Sequence, residues 1–237
     1  MSHPPRTRIP EWVDDPATPE SDLFAAMEGI AAINSLLRYP ALVAWLAERE
    51  LGRSPRRVLD VGTGVADIPV GFAARARKAG APLTAVGIDL NPRTIRRARE
   101  LVGAWPEVAV EERDLFALPA EWEPFDVVTS HRTLHHLTDE EAGAFFAAMD
   151  RALAPGGVLL VADLVRGAPC VAATWALMTV IRAARITRRD GIASIRNSFR
   201  EGEALALAGA AGVTYLRPTA LRPPCHFLLI GRKPGNR

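Results

Sequence analysis

The feature that most constrains the fold is an apolar run that ends in two glycines, in the segment VLDVGTGVAD at residues 58–67. The run predicts a buried strand, and residues 68–79 predict a helix directly after it. Glycines in such a turn let backbone N–H groups approach a ligand closely. Asp67 stands where a dinucleotide-binding GxGxxG loop has its third glycine, so the turn disfavours a pyrophosphate ligand.

Carboxylates are predicted at three strand ends along one edge of the sheet. Asp60 and Asp67 flank the glycines and suit a ligand with a cationic amino group. Asp89 ends the next strand, where an acid can accept hydrogen bonds from ribose hydroxyls. Asp114 follows the third strand and can accept from an adenine amino group beside Leu115. The pattern predicts a pocket for an adenosine that carries a cation and no phosphates, which is the chemistry of S-adenosylmethionine.

Strand and helix patterns alternate along the chain, which predicts an α/β fold with a mostly parallel sheet. Residues 56–237 form the predicted main domain, and the last two strands are expected to pair as a hairpin at one sheet edge. Further helices are predicted at 92–102, 139–153 and 201–211, and further strands at 83–90, 108–112, 125–130, 158–164, 213–217 and 226–230.

Two segments of the chain do not belong to this alternating pattern. Residues 1–55 are predicted to be an irregular arm followed by two helices that separate at Pro40, and to cover the substrate. Residues 168–199 are a predicted helical insertion, in which the apolar run 171–181 precedes Arg182, Arg185 and Arg189 at helical spacing. The insertion is either a packed helix with a solvated basic end or a lid over the active site.

These motifs resemble those of class I S-adenosylmethionine-dependent methyltransferases over about residues 56–233. VLDVGTGVAD resembles the first family motif, although Ala66 stands where a third glycine often sits. GIDLNP, RDLFALP, FDVVTSHRTLHHLTDEE and LAPGGVLLVADLVRG resemble the later ones. The resemblance implies a Rossmann-like, seven-stranded sheet with an antiparallel last strand. It also implies S-adenosyl-L-methionine as cofactor and these cofactor-binding residues: Asp60, Gly62, Gly64, Asp67, Asp89, Leu90, Asp114, Leu115, Ser130 and His131.

Within this family the chain looks most like the ubiquinone/menaquinone-biosynthesis-like enzymes and those of polyketide or phenolic-lipid pathways. The shared features are the LHHL turn, the end of the fifth strand and the RDG segment at 189–191. The likeness predicts methyl transfer to a hydrophobic small molecule, specifically the hydroxyl of an aromatic polyketide, phenolic lipid or quinol. Asp163 and Arg166 are candidates to orient a polar substrate group, or else they form a surface ion pair.

Three histidines follow the fourth strand, at the sheet edge where parallel sheets bind ligands. A hydroxyl acceptor benefits from a general base, and histidine is the usual one near neutral pH. We expect His136 to be this base, with His135 as the second candidate and His131 lining the cofactor pocket. The alternative is that one of them caps the next helix or packs against the sheet. His226 is expected to be structural.

Charge, apolar run lengths and cysteine spacing argue against several other properties. The net charge of +2 does not suggest a nucleic-acid partner. No apolar run approaches the roughly 20 residues that span a bilayer, so no stable membrane insertion is expected. Cys170 and Cys225 lack metal-ligand spacing, and no metal site is predicted. No secretion signal is visible, which predicts a cytoplasmic protein. The oligomeric state stays open, a homodimer being one alternative.

Three other functions compete with this interpretation. Relatives in quinone pathways methylate carbon, so a C-methyltransferase of a quinone-type ring is one alternative. A non-catalytic protein that keeps the cofactor pocket for binding is another, because the glycines and acids alone do not require catalysis. A nicotinamide-dependent oxidoreductase is disfavoured by the missing third glycine and by the lack of a YxxxK pair.

Overall fold

The computed structural model describes residues 5–180 and 183–235, which form a seven-stranded sheet flanked by helices. The strand order is β3-β2-β1-β4-β5-β7-β6. Neighbours among β1 to β5 are parallel, whereas β7 is antiparallel to both β5 and β6. The predicted Rossmann-like fold is therefore confirmed. The strands are β1 Arg57–Val61, β2 Thr84–Asp89, β3 Val108–Glu112, β4 Phe125–His131, β5 Leu153–Leu164, β6 Arg217–Pro218 and β7 His226–Arg232.

Helices begin where the sequence supplies start signals. Pro40 lies in the first turn of α2, and the side chain of Asn91 accepts hydrogen bonds from the backbone N–H groups of Arg93 and Thr94 at the start of α4. Thr138 and Glu141 form a capping box on α5. The helices are α1 Glu20–Leu36, α2 Tyr39–Leu51, α3 Asp67–Ala79, α4 Pro92–Leu101, α5 Asp139–Ala152, α6 Ala168–Val180, α7 Arg185–Asn197 and α8 Glu201–Ala210.

Each face of the sheet carries its own apolar core. On one face, Val43, Phe72 and Ile95 from α2, α3 and α4 pack against the strands. On the other face, Phe146 from α5 and Ala204 from α8 belong to the second cluster. Because both faces are covered, the strands are apolar almost throughout, and ligands can reach the sheet only at its edges.

Two predicted strands differ from the observed ones. The strand predicted at 213–217 is reduced to Arg217–Pro218, because residues 213–216 do not join the sheet and Val213 and Leu216 instead pack into the core beside α8. β5 begins five residues earlier than predicted, at Leu153, because Leu153 already pairs with Phe125 of β4.

The insertion folds as two helices, α6 and α7. α6 is apolar, but of its residues only Met178 is buried, and Trp175 and Val180 are exposed. α7 buries seven residues and packs against α1. The predicted positions Ile181 and Arg182 lie outside the described residues. Among the described residues, no single helix has both the length and the apolar composition to span a membrane; α1 and α2 meet those criteria only as a pair bent by 61°.

Close packing of α2 on α3 leads to a first prediction. A Cβ added to Gly71 would lie 2.5 Å from Pro40 Cβ and 2.8 Å from the Pro40 carbonyl carbon, so the two backbones would have to separate. We expect Gly71→Ala to lower the free energy of unfolding by about 1–3 kcal/mol, measured by urea denaturation. Gly143→Ala is the control. It also lies inside a helix but meets nothing within 4 Å, and it should raise that free energy by about 0.5–1 kcal/mol. Equal effects of the two changes would contradict this account.

Candidate active site

The turn between β1 and α3 requires glycine at two positions. Gly62 and Gly64 have φ angles of +69° and +55°. A Cβ on Gly62 would also lie 2.2 Å from Thr133 Oγ1. The backbone N–H groups of Gly62 and Thr63 both donate to the carbonyl of Ile88, at 2.9 Å each, which fixes the turn against β2. The backbone at this turn therefore lines a cavity from close range, as the sequence predicted.

Asp60, one of the residues that line this cavity, has a carboxylate oxygen without a hydrogen-bond partner in the part of the chain that the structure describes. Its Oδ2 accepts a hydrogen bond from the Thr63 hydroxyl at 2.7 Å, whereas Oδ1 is buried and has no hydrogen-bond partner among the described residues. Burial, together with the nearby charges of Asp67 and Asp89, raises the pKa of Asp60 well above its usual range, despite the hydrogen bond from Thr63. A cationic ligand would satisfy this oxygen and favour the ionised carboxylate.

The residues at the ends of β2 and β3 extend the lining of the same cavity. Asp89 Oδ2 accepts from the Gly64 N–H at 3.1 Å, and Oδ1 accepts from the Asn91 N–H at 3.0 Å. Burial raises the pKa of Asp89 although these two hydrogen bonds act in the opposite direction. Asp114 accepts from the Phe116 N–H at 2.9 Å, and Leu115 beside it is buried. All of these side chains line the same cavity, as do the predicted residues Asp67 and Leu90.

The N-terminal segment closes the cavity, which has a volume of about 460 Å³. Leu23, Met27 and Ile30 of α1 contribute apolar surface to the lining, and Val13 and Asp14 of the arm also line the cavity. No described residue of the insertion contributes to the lining. The cover that was predicted from residues 1–55 therefore lines the cavity, whereas α6 does not act as its lid in this structure.

His131 and Ser130 have mainly structural partners. His131 lines the cavity, but its Nδ1 is hydrogen-bonded to the Tyr39 hydroxyl at 2.8 Å and its Nε2 to Thr129. Burial, and to a smaller extent the charge of Arg132, lowers the pKa of His131 to about 3, so the ring is neutral. The Ser130 hydroxyl donates to the Val61 carbonyl at 2.8 Å and does not reach the lining. Ser130 is therefore not among the residues that line the cavity, and its cofactor contact stays a prediction.

His135 is enclosed between two carboxylates. Its Nδ1 donates to Asp163 Oδ1 at 2.8 Å, and its backbone N–H donates to Asp163 Oδ2 at the same distance. Its Nε2 lies 3.5 Å from Glu11 Oε1, and the Ser194 hydroxyl lies 2.9 Å from that oxygen. Burial raises the pKa of Asp163, but the charge and hydrogen bonds of His135 outweigh it and lower the value. Burial raises the pKa of Glu11, although the nearby histidines partly offset this.

His136 lines the cavity, and its ring is one-third exposed (33%). Its Nδ1 lies 3.1 Å from Asp14 Oδ2. Burial lowers the pKa of His136, but the hydrogen bond to Asp14 and the charges of Glu11 and Asp14 raise it overall to about 9. His135 and His136 face each other with ring centroids 4.2 Å apart. The adjacent histidines thus differ in position: one points into the cavity, and the other is buried behind it.

The arm is held in place by buried polar groups of α7. The carboxylate of Asp190 accepts from the backbone N–H groups of Trp12 and Val13, each at 3.0 Å. The side chain of Asn197 accepts from the Ile9 N–H and donates to the Ile9 carbonyl, at 2.8 Å each. Sequence reasoning missed Glu11 and Asp14 as site residues, because an irregular, proline-rich arm has no periodicity that would place its side chains.

Asp163 and Arg166 lie behind the cavity wall. Asp163 is fully buried against His135. Arg166 is also buried; it donates to the Ser198 carbonyl at 2.7 Å and pairs with Glu203. The structure therefore gives both residues internal partners instead of the substrate contacts that the sequence suggested. His226 lies in β7 with its Nδ1 2.8 Å from the Pro224 carbonyl, away from the cavity lining.

Comparisons with known proteins agree with this geometry. Residues 58–157 match the family model of the methyltransferase domain. The demethylmenaquinone methyltransferase of Deinococcus radiodurans is 36% identical over 118 residues, which cover 49% of this chain and 46% of that protein. The ubiquinone biosynthesis O-methyltransferase of Pasteurella multocida is 27% identical over 150 residues, 60% of this chain and 58% of that protein. The matches thus span about half the length of these curated relatives.

The plantazolicin methyltransferase BpumL, solved in complex with S-adenosylhomocysteine, has a similar fold. The two structures superpose with a TM-score of 0.69 at 11% identity, over 94% of this chain and 92% of that one. The residues of the cavity fit a donor with a cationic amino group, because Asp60, whose Oδ1 has no hydrogen-bond partner among the described residues, and the acid at the end of β2 both line the cavity. Residues 58–157 therefore match the methyltransferase domain family, on a fold that this chain shares with solved methyltransferases.

Proposed function

We propose that this protein transfers a methyl group from S-adenosylmethionine to a hydroxyl of a hydrophobic small molecule. The observation that carries the proposal is the set of residues that line one cavity. The lining combines the acids and the glycine turn with apolar residues of α1 and with the polar side chains of His136 and Asp14. Such a cavity can hold a polar donor and an apolar acceptor in contact with each other.

The bound donor supplies an electrophilic methyl group on a sulfonium. The chain's contribution is to align the acceptor oxygen with that group and to exclude water. Asp89 and Asp114 are placed to hold the adenosine, and Asp60 is placed to face the cationic amino group. Leu23 and Met27 close the cavity from the arm side, so that the transfer takes place in a dry site.

His136 is the polar group best placed to meet the acceptor oxygen, because it lies in the cavity lining while His135 is buried behind it. The base role that the sequence predicted for one of the two histidines remains a prediction, with His136 as the candidate that a substrate can reach. This placement favours an oxygen acceptor, since a hydroxyl can hydrogen-bond to the ring whereas a ring carbon cannot.

An aromatic polyketide, a phenolic lipid or a quinol is the acceptor class that we propose. The apolar wall supplied by α1 favours such molecules over sugars or peptides. Two of the curated relatives are named for quinone pathways, one as a demethylmenaquinone methyltransferase and one as a ubiquinone biosynthesis O-methyltransferase. C-methylation of a quinone-type ring is the second candidate, and it is favoured by the first of those two names.

The experiment is an incubation of the full chain with S-adenosylmethionine and a panel of acceptors, followed by product mass spectrometry and fragmentation. We expect a mass gain of one methylene on alkylated phenols and quinols. The matched methyl ethers, which lack the free hydroxyl, should gain nothing. Fragment masses that place the new methyl on a ring carbon would support the second candidate instead. Binding of S-adenosylhomocysteine without turnover of any phenol or quinol would contradict the proposal.

A further inference from the structure

A group of potential metal ligands lies at the edge of the cavity, where the arm meets the turn after β4. Glu11, His135 and His136 each place one ligand-type atom there, and these atoms lie within 4.8 Å of one another. We propose that these three side chains bind one divalent transition-metal ion. Two imidazoles and one carboxylate form a ligand set that suits zinc, cobalt or iron and leaves coordination positions open. The proposal departs from the sequence analysis, which found no metal-ligand spacing.

The spacing of two of these atoms fits a metal ion between them. His135 Nε2 and Glu11 Oε1 are 3.5 Å apart. Two ligands that each lie about 2.0–2.1 Å from a tetrahedral ion are separated by about 3.4 Å. His135 Nδ1 is occupied by its hydrogen bond to Asp163, so Nε2 is the ring atom that is directed toward Glu11.

Each proposed ligand side chain also has a polar partner outside the ligand set. Asp163 accepts from Nδ1 of His135 at 2.8 Å, and Asp14 lies 3.1 Å from Nδ1 of His136. The Ser194 hydroxyl lies 2.9 Å from Glu11 Oε1. Carboxylates behind metal-binding histidines are the usual supporting partners, because they fix the tautomer and the orientation of the ring. Both histidines of this cluster have such a partner.

The charge balance of the cluster also favours a cation. The carboxylates of Glu11, Asp14 and Asp163 surround two imidazoles, so the cluster carries three negative charges when both rings are neutral. One negative charge remains even when both rings are protonated. The arginines of the arm and of α7 that contact this region, Arg6 and Arg189, pair with Asp139 and Asp190. A bound divalent ion would compensate this excess of negative charge.

The position of the ion would give it a role at the acceptor. His136 belongs both to the cluster and to the cavity lining, so open coordination positions would face the acceptor end of the cavity. A metal ion lowers the pKa of a hydroxyl bound to it and orients that oxygen. This role rests on the proposed function, whereas the metal site itself does not.

The test uses the untagged full chain after treatment with a chelator, titrated with Co²⁺ at neutral pH. We expect visible d–d absorption that saturates at one equivalent and is lost when Zn²⁺ is added. Glu11→Gln and His136→Asn should each weaken Co²⁺ binding by more than tenfold. Asp163→Asn, which keeps all three ligands, should weaken it by about 10–100-fold. His226→Asn is the matched control, because it removes a histidine outside the cluster and should bind like the wild type.

Binding of S-adenosylhomocysteine is measured in every variant as an independent check that the fold and cofactor site are intact. If Glu11→Gln does not fold, Asp163→Asn and His136→Asn still decide the question. Absence of saturable Co²⁺ absorption in the wild type overturns the proposal, as does unchanged absorption in the cluster variants. Because absorption does not depend on turnover, metal binding without methyl transfer would refute the proposed function alone, and turnover without metal binding would refute this inference alone.

Discussion

Asp89→Ala is expected to weaken the binding of S-adenosylhomocysteine by about 100-fold. The carboxylate at the end of β2 borders the cavity and has lone pairs left for the two ribose hydroxyls after it has accepted from Gly64 and Asn91. Hydrogen bonds to a charged group contribute about 1.5–3 kcal/mol each, so the loss of two costs at least about 3 kcal/mol. Isothermal titration calorimetry of the purified variant measures the change directly.

Glu112→Gln is the matched control for this experiment. Glu112 ends β3 and pairs in register with Asp89 on β2, but it is outside the cavity lining. Its replacement should change the dissociation constant by less than about twofold. Equal affinities of the Asp89→Ala variant and the wild type would show that the ribose is held elsewhere, and the assignment of the cofactor edge would then be wrong.

His136→Asn is expected to lower kcat for methyl transfer by about 10²–10⁴-fold while S-adenosylhomocysteine still binds. The ring lies in the lining at the polar end of the cavity, so its loss removes the group that meets the acceptor oxygen. A group that takes part in proton transfer contributes in this range. Steady-state kinetics with the best phenol or quinol from the acceptor panel provide the measurement, and calorimetry confirms that the cofactor site is intact.

His226→Asn again serves as the control, since His226 is remote from the cavity lining and should keep kcat within about twofold of the wild type. A loss smaller than tenfold for His136→Asn would exclude an essential role of this ring in proton transfer. A loss of cofactor binding in the same variant would instead indicate that the ring supports the cavity wall and not the acceptor.

The parts of the fold that the sequence predicted are those with a local physical signature. Apolar runs with adjoining glycines predicted the ends of β1 and β2 to within one residue, because strands that are buried on both faces consist almost entirely of apolar residues. The acids Asp60, Asp89 and Asp114 were placed correctly at one edge, since parallel strands all end on the same side. A short edge strand has a much weaker apolar pattern. The strand predicted at 213–217 therefore overlaps the observed two-residue β6 at Arg217 only.

The parts that the sequence could not predict depend on contacts between distant segments. Glu11 and Asp14 meet His135 and His136 across more than 120 positions of the chain. Their identity as site residues follows only from the path of the arm, which is fixed by side chains of α7. Likewise, the burial of Asp163 and Arg166 behind the wall could not be distinguished from exposure at the sheet edge, because Asp163 lies at the end of β5 and Arg166 follows it.

The anchoring of the arm on α7 has a consequence for how the protein is made. The backbone N–H groups of Trp12 and Val13 bind a carboxylate that is synthesised 178 and 177 residues later. The glycine turn and the acids of β1 and β2 precede α7 in the sequence, so they leave the ribosome before it. In a nascent chain, Val13 and Asp14 can therefore take their places in the cavity lining only after α7 has been synthesised.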